Sequence, residues 1–378
     1  MTQRVRMGWV AAALLVATLA SAAVLDAKEP PRPAFAEKRA TAFDAAVEAE
    51  RKRQGLIGLA VAVIENNKLT HVGCYGLADQ QAKRPVTGET LFRWASISKP
   101  LTAVAALQLL EKKKLKLSDT ARSHCKDLPK DGLGLVTVEQ LLSHRAGVGH
   151  YREMGNWKTR LAKLYGDRAS VSWDAKKSVA VLSTQALAFP AGAKFHYTTF
   201  GFNLLGGIVE SAGKEPFEKQ VANRIAGPLG MTSLEPDYEF VKRSQRTAGY
   251  RKKSEKIVPS EVGDVSWKLP GGGFHSTIGD LARFGIGLLD GKLLSKETQA
   301  ELWRPRADEG KESGYALGFS VRMRNGKVAR VSHSGAQARA RTLLLIEPQT
   351  RRGVAIMTNS EWGDPNAVRK AAFRALGW

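Results

Sequence analysis

Segments that favour β-strands lie near both ends of this 378-residue chain, and their placement limits how it can fold. Residues 57–64 are apolar and rich in Val and Ala, and Asn66-Asn67 separates them from residues 69–75, which are also largely apolar. Two such runs joined by a short Asn-containing turn predict a β-hairpin, and residues 43–53 favour a helix before it. An antiparallel strand pair is therefore expected close to the first end of the chain.

A second group of strands is predicted near the other end. Residues 315–323 and 328–332 flank Asn325-Gly326, a dipeptide typical of two-residue hairpin turns. The segments that follow, which predict another strand pair and then a helix, are residues 342–346, 348–353, 354–357 and 365–376.

Helical periodicity and loops dominate between these two ends, over about residues 110–300. The clearest helical segments are residues 101–110, 138–142, 203–211 and 281–289. An antiparallel sheet built from both chain ends and flanked by helices, with a mainly helical insertion, is an α+β architecture. We therefore expect a sheet subdomain at about residues 39–110 and 300–378, and a helical subdomain at about residues 111–299.

The first residues have the pattern of a targeting segment. Arg4 and Arg6 precede the apolar residues 7–19, and the small residues Ala20-Ser21-Ala22 follow. This order predicts a cleaved secretory signal peptide over residues 1–22, with an uncleaved membrane anchor as the alternative. Residues 23–38 contain three prolines and predict a tether. A periplasmic or secreted location is therefore expected.

The chain is strongly basic, with 58 Lys and Arg against 36 Asp and Glu and a formal net charge of +22. Such an excess indicates possible partners rather than a fold, and an anionic cell wall or membrane surface fits it. The basic residues are scattered and are not interleaved with aromatic residues, so no nucleic-acid binding is expected. The two cysteines, Cys74 and Cys125, are too few for a disulfide scaffold or a thiolate zinc cluster, and whether they pair is left open.

Ser96 and Lys99 form the first candidate catalytic pair. They lie between a strand-like stretch, residues 91–94, and the apolar helix predicted over residues 101–110. A lysine three residues after a serine lies on the same helical face and can take the hydroxyl proton. Ser123 and Lys126 have the same spacing, but they lie in a polar stretch before Pro129 and are interpreted as a solvated loop.

Two later segments add polar groups that suit the same chemistry. Tyr197 lies just before the helix predicted over residues 203–211, and it can move a proton if a neighbouring lysine depresses its pKa. The segment His333-Ser334-Gly335 ends a predicted strand. A strand at the border of a cleft can offer backbone N–H groups to an oxyanion, and small residues let a substrate approach closely.

The order S-x-x-K, Y-x-T and H-S-G resembles the three-motif set of the serine β-lactamase and penicillin-binding protein superfamily. Residues 141–147, 225–232 and 270–282 are similar to further segments of that family, so the resemblance runs from about Phe43 to the C-terminus. Within the family, the motifs are most similar to the mitochondrial serine β-lactamase-like proteins and their bacterial relatives.

This resemblance implies a β-lactamase-like fold over residues 39–378 and a role for each motif. Ser96 would be the acylated nucleophile, Lys99 its activating partner, and Tyr197 a proton shuttle. The oxyanion hole would use the backbone N–H groups of Ser96 and Ala336. His333, Ser334, Gly335 and Thr199 would contact the substrate, and no cofactor would be needed.

Two departures from the family pattern bear on the substrate. His333 stands where many members have a lysine, and a mostly neutral imidazole is a weaker anchor for a carboxylate. Thr199 stands where class C enzymes have asparagine. These residues favour a peptidase, amidase or esterase over an efficient β-lactamase. Arg339 and Arg341 are alternative carboxylate ligands, although solvated loop positions are the more ordinary interpretation of both.

Other functions remain as alternatives or are disfavoured. A weakly catalytic or non-catalytic penicillin-binding-like or self-assembling protein on the same fold is the main alternative. His144 and His150 flank a glycine-containing loop, but without an H-E-x-x-H pattern or a cysteine pair no metal site is expected. The predicted function is a secreted serine hydrolase that acts on a small peptide, amide or ester.

Overall fold

A computed structural model describes residues 37–166, 171–261, 263–308 and 312–378. The strands are β1 (Gly58–Glu65), β2 (Lys68–Asp79), β3 (Arg84–Pro85), β4 (Phe92–Arg93), β5 (Glu235–Pro236), β6 (Tyr250–Lys253), β7 (Lys256–Pro259), β8 (Phe274–Ser276), β9 (Ala307–Asp308), β10 (Ser313–Tyr315), β11 (Ser320–Arg324), β12 (Lys327–Gln337), β13 (Ala340–Glu347) and β14 (Arg352–Thr358). The α-helices are α1 (Glu37–Gln54), α2 (Ser98–Glu111), α3 (Ala121–His124), α4 (Val138–Leu142), α5 (Trp157–Tyr165), α6 (Ala175–Ala180), α7 (Thr199–Gly213), α8 (Phe217–Val221), α9 (Gly227–Leu229), α10 (Leu269–Gly272), α11 (Ile278–Leu289), α12 (Lys296–Trp303) and α13 (Pro365–Leu376).

The main sheet contains strands from both ends of the chain. Its order is β3-β2-β1-β14-β13-β12-β11-β10-β9, and the neighbouring strands are antiparallel. In the first hairpin, β1 pairs with β14, the last strand of the chain, and Leu59 lies opposite Thr358. On the other edge of β14, Thr358 lies opposite Arg341 of β13. The predicted α+β fold, with a sheet assembled from the two chain ends, is confirmed.

Both predicted hairpin turns are present, and their asparagines take the backbone conformation that such turns need. Asn66 and Asn67 have φ values of 50° and 60°, and Asn325 and Gly326 have φ values of 51° and 72°. Positive φ at both central positions matches the right-handed twist of the flanking strands. The turn residues therefore set the register of β1 with β2 and of β11 with β12.

The structure differs from the predictions in two places. The single strand expected over residues 315–323 is two strands, β10 and β11, which pair with each other across residues 316–319. Gly318 has a φ of 80°, and a Cβ there would lie 2.7 Å from the Cβ of Ala103, so the chain turns tightly against α2. The mainly helical middle of the chain also contains the short strands β5 to β8.

Alternation along β1 divides the core into two layers. Leu59, Val61 and Val63 pack with α1 and α13 on one face of the sheet. Ala60, Ala62 and Ile64 face the other side and belong to the larger core with α2, α7 and α11. Burial of both faces explains why β1 is apolar throughout rather than alternating.

A second, three-stranded sheet in the order β4-β8-β5 carries a buried ion cluster. Asp237 is fully buried, and its carboxylate lies 2.5 Å from Arg93 Nε, 3.0 Å from Arg246 Nε and 3.2 Å from His275 Nδ1. Burial alone would raise the pKa of Asp237, but Arg93, His275 and Arg246 hold it well below its usual value. The cluster begins three residues before Ser96, so it anchors the segment that leads into that serine.

Several predictions about the chain's ends fall outside the described residues. The predicted signal peptide over residues 1–22 and most of the predicted tether are among them. Within the described ranges, no helix combines the length and apolar character that crossing a bilayer requires. Cys74 and Cys125 are both free thiols, which answers the question of their pairing.

Asp237→Asn should destabilise the fold by about 3–5 kcal/mol, because it removes the buried charge that balances Arg93 and Arg246. Urea unfolding followed by circular dichroism measures the change. The matched control is Glu261→Gln, since Glu261 pairs with Arg251 at 2.8 Å but is 77% exposed; it should change stability by less than about 0.5 kcal/mol. Equal effects of the two variants would contradict the proposed importance of the buried cluster.

Candidate active site

Ser96 lies in a 3₁₀ turn, Ala95–Ile97, that connects β4 to α2. Ala95 has a φ of 49°, a conformation that non-glycine residues rarely adopt, so the turn places Ser96 on a strained backbone. Ser96 remains partly exposed, whereas Lys99, one helical turn later, is completely buried. The predicted pair is thus brought together with the hydroxyl towards solvent and the amine beneath it.

Three oxygen atoms surround the Lys99 amine. Its Nζ lies 2.7 Å from Gly271 O, 3.1 Å from Ser96 Oγ and 3.4 Å from Thr199 Oγ1. A neutral amine has two N–H donors and one lone pair. Nζ is the donor in all three contacts; in an uncharged amine, donation to Gly271 O and Thr199 Oγ1 would leave the lone pair for the Ser96 hydroxyl.

Burial lowers the pKa of Lys99 well below its usual value, and the positive charge of Lys268 lowers it further. Within the described residues, none of the ion pairs includes Lys99. Such an environment favours the uncharged amine, which is the form that accepts a proton.

Tyr197 is positioned by the start of α7, where the Thr198 side chain accepts a hydrogen bond from Phe200 N. The Lys99 Nζ lies 4.8 Å from the centre of the Tyr197 ring, and the phenol hydrogen-bonds to Ser96. Burial raises the pKa of Tyr197, and the hydrogen bond to Ser96 lowers it by less. The condition stated for Tyr197, a pKa depressed by a neighbouring lysine, is not met in this structure, because burial is the largest effect on it.

Residues 333–337 of β12 lie beside the Ser96 turn, and strand alternation separates them into two sets. Ser334 and Ala336 line the cavity that contains Ser96, as does Gln337 at the end of the strand, and the oxyanion role of Ala336 stays a prediction. Gly335 faces inward, where a Cβ would lie 2.4 Å from Trp94 O. Its small size therefore lets β12 approach the Ser96 turn, rather than letting a substrate approach β12.

His333 also faces inward and is not among the residues that line this cavity. Its Nδ1 lies 2.7 Å from Ser334 O and its Nε2 lies 3.1 Å from Tyr315 Oη, so Nδ1 donates and Nε2 accepts. Burial, with the nearby Lys99, lowers the pKa of His333 to about 3. The neutral imidazole was expected, but its predicted contact with a substrate carboxylate is not supported by this geometry.

The cavity around Ser96 has a volume of about 220 Å³. Its wall contains four of the predicted residues besides Ser96, and it also contains residues that the motifs did not indicate. The lining residues are Ser96, His150, Tyr151, Tyr197, Thr199, Lys268, Gly271, Gly272, Ser334, Ala336 and Gln337. Lys268 lies two residues before the segment 270–282, and Gln337 directly follows Ala336, so extending those segments would have found both.

The remaining candidate residues have structural contacts. His144 Nδ1 accepts a hydrogen bond from Thr198 N, and His150 Nδ1 accepts one from Thr199 N, so both histidines hold the start of α7. Arg339 lies 3.6 Å from the Glu239 carboxylate, and Arg341 donates to two carbonyl groups of its own hairpin. Neither arginine lines the cavity.

Comparison with known proteins agrees with this geometry. The chain is 27% identical to the putative penicillin-binding protein PbpX of Bacillus subtilis over 71% of its own length and 63% of that protein. It is 29% identical to esterase EstB of Burkholderia gladioli, over 52% of this chain and 53% of the esterase. The matches therefore span less than two thirds of the length of these two relatives. It is 26% identical to the mitochondrial serine beta-lactamase-like protein LACTB of Homo sapiens, over 78% of this chain and 69% of that protein.

Solved structures show the same fold. An octameric penicillin-binding protein homologue from Pyrococcus abyssi superposes with a TM-score of 0.75 at 22% identity, covering 89% of this chain and 77% of that one. A D-stereospecific amidohydrolase from Streptomyces sp. superposes with a TM-score of 0.72 at 25% identity, covering 88% and 98%. The family model described as Beta-lactamase matches residues 43–377. The chain therefore belongs to the beta-lactamase family.

Proposed function

We propose that this protein is a serine hydrolase that cleaves an amide or ester through an acyl intermediate on Ser96. The observation that carries the proposal is the buried Lys99 amine, which lies 3.1 Å from Ser96 Oγ and has a lowered pKa. A serine hydroxyl is a weak nucleophile unless a base takes its proton, and an uncharged amine at hydrogen-bond distance is such a base.

The proposed reaction has two halves. Ser96 Oγ attacks the substrate carbonyl carbon while its proton passes to Lys99 Nζ, and backbone N–H groups of Ser96 and Ala336 stabilise the oxyanion. The proton then passes by way of Tyr197 to the leaving nitrogen or oxygen as its bond to carbon breaks. Water hydrolyses the resulting ester on Ser96 by the reverse route and regenerates the hydroxyl.

The names of related proteins support the same class of substrate. The relatives include an esterase and a penicillin-binding protein, and one structural neighbour is an amidohydrolase. All of these names are compatible with acyl transfer at a carbonyl carbon. We therefore propose a small ester, amide or peptide as the substrate, handled without a metal or organic cofactor.

We also propose that the protein acts outside the cytoplasm, in the periplasm or as a secreted protein. Arg4, Arg6, the apolar residues 7–19 and Ala20-Ser21-Ala22 support this location. Removal of residues 1–22 would take away two arginines and no acidic residue, so the remaining chain would keep a net charge of +20. That charge favours contact with anionic wall or membrane surfaces.

Ser96→Ala should abolish covalent labelling by a fluorophosphonate or a penicillin, and should reduce ester hydrolysis by about 10³-fold or more. The physical reason is the loss of the only atom at this position that can carry the acyl group. Intact-protein mass spectrometry measures the labelling, and initial rates with short-chain esters measure the hydrolysis.

The chain supplies its own matched control for this experiment. Ser123 has a lysine at the same spacing, but its hydroxyl donates to Thr120 O and it is exposed. Ser123→Ala should therefore label like the unmodified protein. Absence of any added mass on the unmodified protein, or equal labelling of Ser96→Ala, would favour a non-catalytic binding protein on this fold.

Lys99→Met should slow acylation of Ser96 by about 10²–10⁴-fold, because the general base is lost. The same change should make the fold more stable at pH 7. Burial lowers the pKa of Lys99 in the folded chain, whereas its pKa in the unfolded chain is near 10.5. At pH 7 the unfolded chain therefore binds this proton more tightly than the folded chain does, which stabilises the unfolded state and opposes folding. Single-turnover labelling and urea unfolding measure the two effects; a less stable variant would contradict a neutral Lys99.

The pH dependence of kcat/KM for a neutral ester should have an acid limb that reports protonation of Lys99. This limb should lie well below the usual lysine pKa, because Lys99 is buried. Lys268→Met should move it to higher pH, since removal of the neighbouring positive charge makes Lys99 easier to protonate. Lys268→Arg keeps the charge and should leave the limb near its original position. A limb that is the same in all three proteins would show that another group titrates.

A further inference from the structure

A second cavity lies between the main sheet and α13, and none of its residues lines the cavity around Ser96. Its volume is about 330 Å³. The lining residues come from β12, β13, β14, α13 and the residue that follows Gly377, and they are Arg330, Glu347, Arg352, Arg369, Lys370, Phe373, Arg374 and Trp378. Five of these side chains are cationic, whereas one is a carboxylate. The cavity is therefore strongly basic.

Two aromatic rings hold three of the guanidinium groups in this cavity. The centre of the Phe373 ring lies 5.2 Å from Arg369 Cζ and 5.9 Å from Arg330 Cζ. The Arg352 Cζ lies 4.8 Å from the centre of the Trp378 ring. A ring attracts a guanidinium through its π face but brings no opposite charge. The rings therefore position the cations without neutralising them.

The cavity contains more N–H donors than the protein satisfies. Glu347 accepts from Arg330 Nη2 at 2.8 Å and from Arg352 Nε at 2.7 Å, so two arginines share one carboxylate. Among the residues that the structure describes, the cations of this cavity form ion pairs with Glu347 alone. Arg330 Nε and Arg369 Nε are buried, and neither has a hydrogen-bond partner within the same residues. Buried donors without acceptors cost free energy, which a bound anion would recover.

Arg369 has the least compensation among the buried cations of this cavity. Burial lowers the pKa of Arg369, and the positive charge of Arg330 lowers it further, whereas Glu347 and Asp364 raise it. The Asp364 carboxylate also caps α13, where it accepts a hydrogen bond from Asn366 N. The protein therefore holds two guanidinium groups close together although their charges repel.

Two further acidic side chains near the cavity have arginine partners of their own. Glu50 of α1, which α13 approaches, pairs with Arg53 at 2.7 Å. Glu65 lies opposite Arg352 in the sheet and pairs with Arg39 at 2.8 Å. The cations of the cavity therefore exceed the carboxylates that are available to them.

The basic surface continues along the sheet into a neighbouring cavity of about 540 Å³. This cavity shares Arg330 and Arg352 with the first one, as well as its carboxylate, and adds Arg322 and Arg324 of β11. Its other acidic residue, Glu312, pairs with Arg322 at 2.9 Å but is 70% exposed. A ligand with two anionic groups would therefore find cations in both cavities.

We propose that Arg330, Arg352 and Arg369 form a binding site for a phosphate group, separate from Ser96. The planar guanidinium donates pairs of N–H groups that match phosphate oxygens, and such charge-assisted hydrogen bonds are strong. A tetrahedral phosphate can accept from several guanidinium groups at once. The ligand is a phosphate ester, which is either a soluble compound or the headgroup of an anionic lipid.

Calorimetric titration of the full chain with inorganic phosphate and with pyrophosphate tests the site. Both should bind, and pyrophosphate should bind more tightly because the neighbouring cavity supplies further cations. Arg369→Met should weaken both about 10- to 100-fold, since it removes hydrogen bonds to a charged group. Arg369→Lys keeps the charge without the paired donors and should give an intermediate affinity.

Arg304→Met is the matched control, because it removes the same charge at the end of a helix that lies outside both cavities. It should leave both affinities unchanged. Lys370→Met removes an exposed cation of the cavity and should weaken binding by less than Arg369→Met does, and it provides a second measurement if Arg369→Met fails to fold. Melting temperatures establish which variants are folded.

Sedimentation with vesicles of phosphatidylglycerol and phosphatidylcholine in equal parts distinguishes the two sources of the phosphate. Vesicle binding that Arg369→Met weakens, that Arg304→Met preserves and that pyrophosphate competes away assigns a lipid headgroup. Calorimetric binding without such vesicle binding assigns a soluble phosphate ester. Failure of both anions to bind, or equal affinities of Arg369→Met and Arg304→Met, overturns the proposal. Ester hydrolysis at Ser96 enters none of these measurements, so the outcome does not depend on the proposed hydrolase function.

Discussion

The removal of the Lys99 amine from water is the constraint on which the rest of the site depends. A lysine is kept uncharged by burial, yet the Lys99 nitrogen must still reach Ser96, which is partly exposed. Both requirements are met only if the backbone turns sharply at Ser96. The 3₁₀ turn at Ala95–Ile97 meets both demands. Gly271 contributes by bringing a carbonyl oxygen to 2.7 Å from the amine, an approach that a larger residue would prevent, because its Cβ would lie 2.7 Å from Thr199 Cγ2. The fold therefore lowers the pKa of this amine mainly through burial, with a further contribution from the positive charge of Lys268.

The charges near the site form two groups, which differ in how closely opposite charges of the protein surround them. Behind Ser96, the carboxylate of Asp237 lies among two arginines and a histidine, so the charges balance within the protein. On the cavity side, Lys268 lines a cavity whose lining residues include no Asp or Glu, and the nearby Asp264 offsets part of the effect of burial and Arg93 on its pKa. The formal net charge of +22, counted over the whole chain, does not show this distinction. What matters for recognition is the position of the unbalanced charge rather than the total.

Local features of the sequence predicted the fold better than they predicted the orientation of site residues. Asn66-Asn67 and Asn325-Gly326 fix their hairpins through backbone conformation alone, so both were predictable, and the helix over residues 365–376 was found at its exact bounds. The separation of β10 from β11 was not predictable in the same way, because it depends on contact between Gly318 and α2, which is distant in sequence. The inward orientation of His333 likewise follows from the register of β12 with β13, which no single motif contains. The resemblance indicated which segments meet, whereas packing decided which side chains face the cavity.

The proximity of Lys268 to Lys99 links recognition to chemistry. Without an anion, the charge of Lys268 lowers the pKa of Lys99 and helps to keep the amine neutral and ready to accept a proton. A negative charge brought next to Lys268 by a substrate would offset that charge and raise the pKa of Lys99, so the amine would become a stronger base. A neutral ester would bind without this change and would face a weaker base. Selection of anionic substrates would then act on the rate of acylation, through a single electrostatic coupling between two lysines.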